Sequence, residues 1–130
     1  MNVDLLIRHM DPALFVSQLT AKTKDGVLQE LTATLVGAGK VKDQELILEM
    51  LRNREALGST ALGSNVAFPH GRSVAIPELT VLVARHPKGV DFDSMDGGPT
   101  HLFFLLLAPP QDQGNLYLQA LGAITGLVTT

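Results

Sequence analysis

The sequence predicts an α/β layered domain, and three observations predict it. Two segments with helical apolar spacing fill the first half, short β-type apolar runs separated by turn residues fill the middle, and one more helical pattern closes the chain. The 130 residues fit a single domain spanning 1–130, long enough to bury a core and too short for two.

The elements follow in order. Residues 14–19 mix Phe, Val and Leu with polar residues and predict a strand. Thr23 can cap a helix whose apolar positions are Val27, Leu28, Leu31 and Leu35, stopped by Gly37 and Gly39. Asp43 can cap a second helix with Leu46, Ile47, Met50, Leu51 and Leu57 as its stripe and Gly58 as its stop. Its charges suit the macrodipole, Glu45 early and Arg52 and Arg54 late. Strands are expected over 66–68, closed by Pro69, over 79–85, and over 101–107, the last nearly unbroken apolar as a central strand requires. A final helix is expected from about Asn115, with Tyr117, Leu121, Ile124 and Val128 on one face. It meets Thr130 without a terminator, and Gly122 and Gly126 each weaken it by about 1 kcal/mol relative to alanine. That pattern is expected of a shortened or frayed C-terminus.

Composition removes several function classes. A formal charge of −3 with 18% charged residues offers no basic stripe, so nucleic acid is not an expected partner. There is no cysteine, which excludes disulfides and thiolate chemistry. The start lacks a signal-peptide pattern, and the longest apolar run, 102–108, is far below the roughly 20 residues of a membrane helix. The expectation is a soluble, cytoplasmic protein without direct membrane insertion. His9, His86 and His101 have no metal-ligand spacing with one another or with His70, so no metal is expected, and His86 and His101 read as surface residues. Asp91, Asp93 and Asp96 lack the later ligands of a calcium loop and read as a solvated turn. The glycines at 58, 63 and 71 precede no Gly-Lys-Ser/Thr, so a nucleotide site is unsupported and no cofactor is expected.

The chemistry concentrates in residues 54–72. A short apolar strand ends in Pro69, His70 follows, and Gly71 backs it. Pro69 fixes its own φ and keeps Phe68 extended, while Gly71 leaves room for an amide to approach whatever binds the imidazole. Histidine suits reversible phosphoryl transfer, because an ordinary pKa of about 6.5 leaves a neutral nucleophilic nitrogen at neutral pH. Such a site needs donors for the phosphoryl oxygens: the hydroxyls of Ser59 and Thr60, amides after His70, and a cation. Arg54 is the candidate cation, since about 100° per residue places it amid the apolar stripe of its helix. It has a second reading as a cap on the last carbonyls of that helix. His70 itself reads equally as a packed or surface histidine on these residues alone.

Arg54-Glu55-Ala56-Leu57-Gly58-Ser59-Thr60-Ala61-Leu62-Gly63, followed by Val66-Ala67-Phe68-Pro69-His70-Gly71, resembles the signature of the mannitol/fructose/nitrogen-type IIA family of the bacterial phosphotransferase system. Similarity continues through Gly89-Val90-Asp91-Phe92-Asp93-Ser94-Met95-Asp96-Gly97 and Leu102-Phe103-Phe104-Leu105-Leu106-Leu107-Ala108-Pro109, and so covers most of the chain. The resemblance implies a single mixed β-sheet flanked by α-helices. It implies that His70 takes a phosphoryl group from the histidine-containing phosphocarrier protein, and passes it to a IIB domain or serves as a nitrogen-type regulator. It also implies that Arg54 is an active-site residue. Many members carry a second active-site histidine after the Ala-Pro-Pro loop, and that position is Tyr117 here. A phenol donates a hydrogen bond but lacks the proton chemistry of an imidazolium. Tyr117 has a second reading as a packing partner of Leu121 and Ile124. Two functions follow as alternatives: a phosphocarrier, or a non-catalytic regulatory binding module of the same fold with impaired phosphotransfer and its own target protein.

Overall fold

The computed structural model describes residues 3–129. The chain runs α1 (Val3–Arg8), β1 (Met10–Val16), α2 (Lys24–Gly37), α3 (Gln44–Ala56), β2 (Ala61–Gly63), β3 (Val66–Ala67), β4 (His70–Arg72), β5 (Thr80–Val90), β6 (Thr100–Ala108), a 3-10 turn (Gln113–Asn115) and α4 (Leu116–Thr129). The strands form one mixed sheet ordered β1-β5-β6-β3-β2, with β4 also on β6. β1 is parallel to β5, β3 and β4 are parallel to β6, and β5 and β6 are antiparallel.

Both long helices near the start form as their caps dictate. The Thr23 hydroxyl accepts from the Gly26 amide at 3.0 Å, and the Asp43 carboxylate accepts from the Leu46 amide at 3.1 Å. Arg52 of α3 forks onto Asp25 of α2 at 2.6 and 2.9 Å, holding the pair together at its outer side. That guanidinium pulls the Asp25 pKa down to about 2.

Strand alternation separates two apolar cores, one on each sheet face. Leu82 and Ala84 of β5 join Val27, Leu31, Ile47 and Leu51 of α2 and α3 in the first. Val81 joins Leu5 and Leu6 of α1 and Tyr117, Ala120 and Ile124 of α4 in the second. The central position of β6 follows from its near-continuous apolar run, since Leu105, Leu106 and Leu107 alternate between faces and are all fully buried.

Several expectations shift. The first strand lies at 10–16 rather than 14–19, and a short helix, α1, precedes it. β1 is an edge strand, where Pro12 is tolerated because one side of the ladder is open. Leu19 still donates to the Arg85 carbonyl at 2.8 Å, so the chain stays beside β5 after the strand ends. In α3 the buried face is Ile47, Leu48, Leu51 and Glu55, while Leu46 is 44% exposed and Leu57 85% exposed. The stripe is thus rotated, which puts Arg54 at its margin and a carboxylate in its last buried position. His86 is buried instead of lying on the surface, with Nε2 donating to the Ala21 carbonyl at 2.7 Å, and His101 is half-buried. Val128 lies outside the side chains described.

Candidate functional site

Pro69 interrupts the edge of β6 without changing its register. Val66 faces Leu102 before the proline and His70 faces Leu106 after it, four residues on in both strands. The missing Pro69 amide is harmless, because its carbonyl still accepts from Leu106 at 3.0 Å. His70 therefore opens a three-residue strand locked onto the most buried strand of the sheet, which is the rigid backing a nucleophile requires.

The ring is oriented from two sides. Nδ1 lies 2.8 Å from the Phe68 carbonyl, an acceptor only, so Nδ1 carries the proton and Nε2 holds the free lone pair. The Phe68 ring stacks on the imidazole at 5.7 Å between centroids and 14° between planes. Nε2 bonds to no described residue and is not among the buried unpartnered atoms, so it is open for reaction. Burial pushes the His70 pKa below the ordinary histidine value. The Phe68 hydrogen bond opposes that shift, Arg54 adds to it and Glu55 opposes it. The net effect keeps the imidazole neutral and nucleophilic at pH 7.

Tyr117 of α4 stands 6.2 Å from His70, ring to ring, at 51°. Its amide donates to the Asp112 carboxylate at 2.6 Å, which anchors the start of α4. Arg72, two residues beyond His70 and so on the same face of β4, lays its guanidinium 4.6 Å over the Tyr117 ring. Arg72 in turn donates to the Pro110 carbonyl at 3.0 Å and lies 3.8 Å from Asp112. Burial raises the Tyr117 pKa, against the pull of Arg72 and Arg54, so the phenol keeps its proton at pH 7. That hydroxyl has no hydrogen-bond partner among the described residues.

The family described as phosphoenolpyruvate-dependent sugar phosphotransferase system, EIIA 2, matches residues 8–130. The chain belongs to this family. It is 39% identical over 120 residues to a nitrogen regulatory protein of Bradyrhizobium diazoefficiens, covering 90% of this chain and 75% of that protein. It is 37% identical over 103 residues to the fructose-specific EIIA component of Haloferax volcanii, covering 79% of this chain and 66% of that one. Against the fructose-specific EIIABC component of Bacillus subtilis it is 33% identical over 110 residues, which span 85% of this chain and only 17% of that protein. The solved IIA-Ntr of Neisseria meningitidis superposes with a TM-score of 0.87 at 30% identity, covering 97% of this chain and 85% of the other. The single mixed sheet with flanking helices is thus the EIIA fold.

Within this EIIA fold, His70 and Tyr117 are neighbours, and the charge of Arg54 is felt by both. The capping reading of Arg54 is not met: its Nη1 donates to the Gly58 carbonyl at 2.9 Å, two residues past the end of α3, and not to a carbonyl of the helix. The Ser59 and Thr60 hydroxyls already have acceptors. Ser59 Oγ donates to the Phe92 carbonyl at 2.7 Å, and the buried Thr60 Oγ1 donates to Glu55 at 2.6 Å. These residues shape the turn into β2 instead of presenting free hydroxyls. Gly71 points away from the imidazole, and a Cβ there would overlap the Met50 sulfur of α3. Its glycine serves helix–sheet packing, not the approach of an amide.

Two residues escaped the sequence reading. Arg72 was legible in principle, because i and i+2 of a strand share a face, but that required knowing that a strand resumes after Pro69. Glu55 was hidden by the misplaced helix face. It is 7% exposed, accepts from the Thr60 amide and hydroxyl, and pairs with Lys24 at 3.0 Å. The acidic segment after β5 forms exposed turns as expected, with Asp96 accepting from Ser94, Gly98 and Ser64. Among the described residues no three His, Cys, Asp or Glu side chains gather as a metal site, and no helix is long and apolar enough to cross a membrane.

Proposed function

We propose that the protein is a phosphocarrier that accepts a phosphoryl group on Nε2 of His70. The observation that carries this reading is the Nδ1–Phe68 hydrogen bond, which leaves Nε2 as the available nucleophile on a rigid strand. The donor is a phosphohistidine of the histidine-containing phosphocarrier protein. The Nε2 lone pair attacks phosphorus, the donor's N–P bond breaks, and its electron pair returns to the donor imidazole, which is then protonated. Positive charge developing on the His70 ring is shared with the Phe68 carbonyl through Nδ1–H. Arg54 offsets the phosphoryl charge and the Tyr117 hydroxyl donates to one oxygen. Proteins are the substrates, and the setting is the cytoplasm.

For the onward step, a phosphorylated IIB is the partner of the mannitol IIA of Escherichia coli in its solved complex, a protein with the same fold at 22% identity. A IIB partner therefore fits this chain as the acceptor in a sugar-transport role. A regulatory role of the nitrogen type is favoured by the match to IIA-Ntr of Neisseria meningitidis at a TM-score of 0.87 and 30% identity, against 0.73 and 23% for the mannitol IIA of Escherichia coli. Tyr117 in place of the second histidine favours that branch, where phosphorylation tunes binding to a target protein and onward transfer is secondary.

The test is incubation with phosphoenolpyruvate and the two general phosphotransfer proteins, followed by intact mass of wild type and His70→Ala. An acid-labile gain of one phosphoryl group in wild type, absent from the variant, is expected. No gain with a cognate donor, or an equal gain in His70→Ala, overturns the carrier reading.

A further inference from the structure

A second concave site lies away from His70, between the chain that follows β1 and the far half of β5. It has a cavity of about 620 Å³, more than twice the volume of the cleft of about 290 Å³ beside Lys24 and Arg52. That volume lies within the roughly 300–1,000 Å³ typical of small-molecule sites. Its lining includes Leu19 and Val90, core residues that are each 3% exposed and offer little surface, and the exposed Pro87, which supplies the apolar wall. Lys22 and Lys88 also line it, one from each wall, and both are exposed.

The charges are unequal. Neither Lys22 nor Lys88 forms an ion pair among the described residues, which leaves both ammonium groups available at the rim. Asp91 is the one acidic residue in the lining, and its carboxylate already accepts from the Asp93 amide at 2.9 Å. The walls are fixed to each other by His86, whose Nε2 reaches the Ala21 carbonyl at 2.7 Å. Nδ1 of the same ring is buried without a partner, a cost of about 1–3 kcal/mol for such a group that most folded chains avoid. The site is preformed, amphipathic and cationic at its rim.

We infer that this cavity is a binding site for a small organic anion, a carboxylate or phosphate on a compact apolar body. The anionic group is held by Lys22 and Lys88, and the body lies against Pro87 and the lysine stems. This goes beyond the phosphocarrier reading and does not depend on it. The walls also run towards the nucleophile's surroundings. Lys24 and Asp93, two residues beyond Lys22 and Asp91, pair at 3.4 Å, and Lys24 holds the Glu55 carboxylate that receives Thr60.

The experiment is a titration of the whole chain followed by backbone amide NMR, with phenyl phosphate, phenylacetate and benzyl alcohol as separate probes. It is repeated on Lys22→Gln/Lys88→Gln, whose side chains are exposed and whose fold the spectrum itself checks. Saturable shifts at residues 18–22 and 86–91 are expected with one or both anions below about 1 mM, the weak end of specific binding. Binding should weaken by about tenfold or more in the double variant and with the neutral alcohol. Response to phenyl phosphate alone marks a phosphate ligand, and response to phenylacetate marks a carboxylate. No saturation, equal binding of the alcohol, or shifts centred on 70–72 and 117 overturn the inference.

Discussion

The imidazole of His70 and the carbonyl of Phe68 face each other across 2.8 Å, two residues apart and on either side of Pro69. The proline makes this contact possible. It keeps Phe68 extended and fixes the turn of the chain, so the carbonyl before it can reach the side chain after it. The ring's tautomer is decided by the backbone and needs no third side chain.

This arrangement predicts a pH dependence. Burial is the largest influence on the His70 pKa and lowers it below 6.5, so the folded state takes up its proton at lower pH than the unfolded chain. Between the two values the unfolded state binds more protons, and stability rises with pH. The contribution is complete above about 6.5 and is lost as pH falls through the folded-state value. Imidazole NMR should show a midpoint below 6.5 and a neutral form protonated at Nδ1. Denaturant midpoints of wild type should fall more between pH 7.5 and 5 than those of His70→Gln. A midpoint at or above 6.5 would contradict the buried setting.

Glu55 should matter more than its place among helix-end charges suggests. Its carboxylate is nearly out of solvent, receives the buried Thr60 amide and hydroxyl, and pairs with the partly buried Lys24. Glu55→Ala orphans the buried Thr60 amide and hydroxyl and leaves Lys24 with Asp93 alone, a loss of about 2–6 kcal/mol at about 1–3 kcal/mol for each orphaned donor. Thr60→Val keeps the shape and removes one hydrogen bond, costing about 1–3 kcal/mol. Urea denaturation of the two variants checks the order. If Glu55→Ala proves no worse than Thr60→Val, the carboxylate does not organise this turn.

Gly71 and Met50 form a steric pair. A Cβ at 71 would run into the Met50 sulfur, so Gly71→Ala should cost about 1–3 kcal/mol through overpacking. The flexible methionine offers a direct check, because shortening it makes room. Gly71→Ala combined with Met50→Ala should be more stable than the sum of the single losses, read as a coupling in a double-mutant cycle. Strict additivity would mean that the loss at 71 does not come from the contact with Met50.

The sequence was most readable where one local force acts. Thr23 and Asp43 announce their helices because a cap is a contact between near neighbours, and β6 announces itself because both its faces are buried. β1 was displaced because an edge strand admits Pro12, a residue that normally argues against a strand. Arg54 was assigned to a buried face because Leu46 and Leu57 were counted as core. Their exposure depends on where β4 and the turn at 57–60 lie, and that is tertiary information. His70 was found through its motif, whereas Arg72 and the Asp112 anchor of α4 needed two distant segments to be brought together.

Tyr117 gives the sharpest test of the proposed phosphoryl site. Its ring is packed by Arg72 and by the second core, while its hydroxyl has no partner among the described residues. Tyr117→Phe keeps the packing and removes only the donor. It should leave the denaturation midpoint nearly unchanged and slow phosphoryl acceptance by roughly ten- to a hundredfold, the effect of losing one hydrogen bond to a charged group. Arg72→Ala should slow acceptance as well, by freeing the ring, and Arg72→Lys should recover little because an ammonium does not stack as a guanidinium does. Tyr117→His supplies a group that titrates near neutrality, and onward transfer to a IIB acceptor should become faster than in wild type. Rapid-quench phosphotransfer assays on wild type and these four variants separate the cases. Should Tyr117→Phe accept phosphate at the wild-type rate, the hydroxyl takes no part, and Tyr117 is at this position for its ring alone.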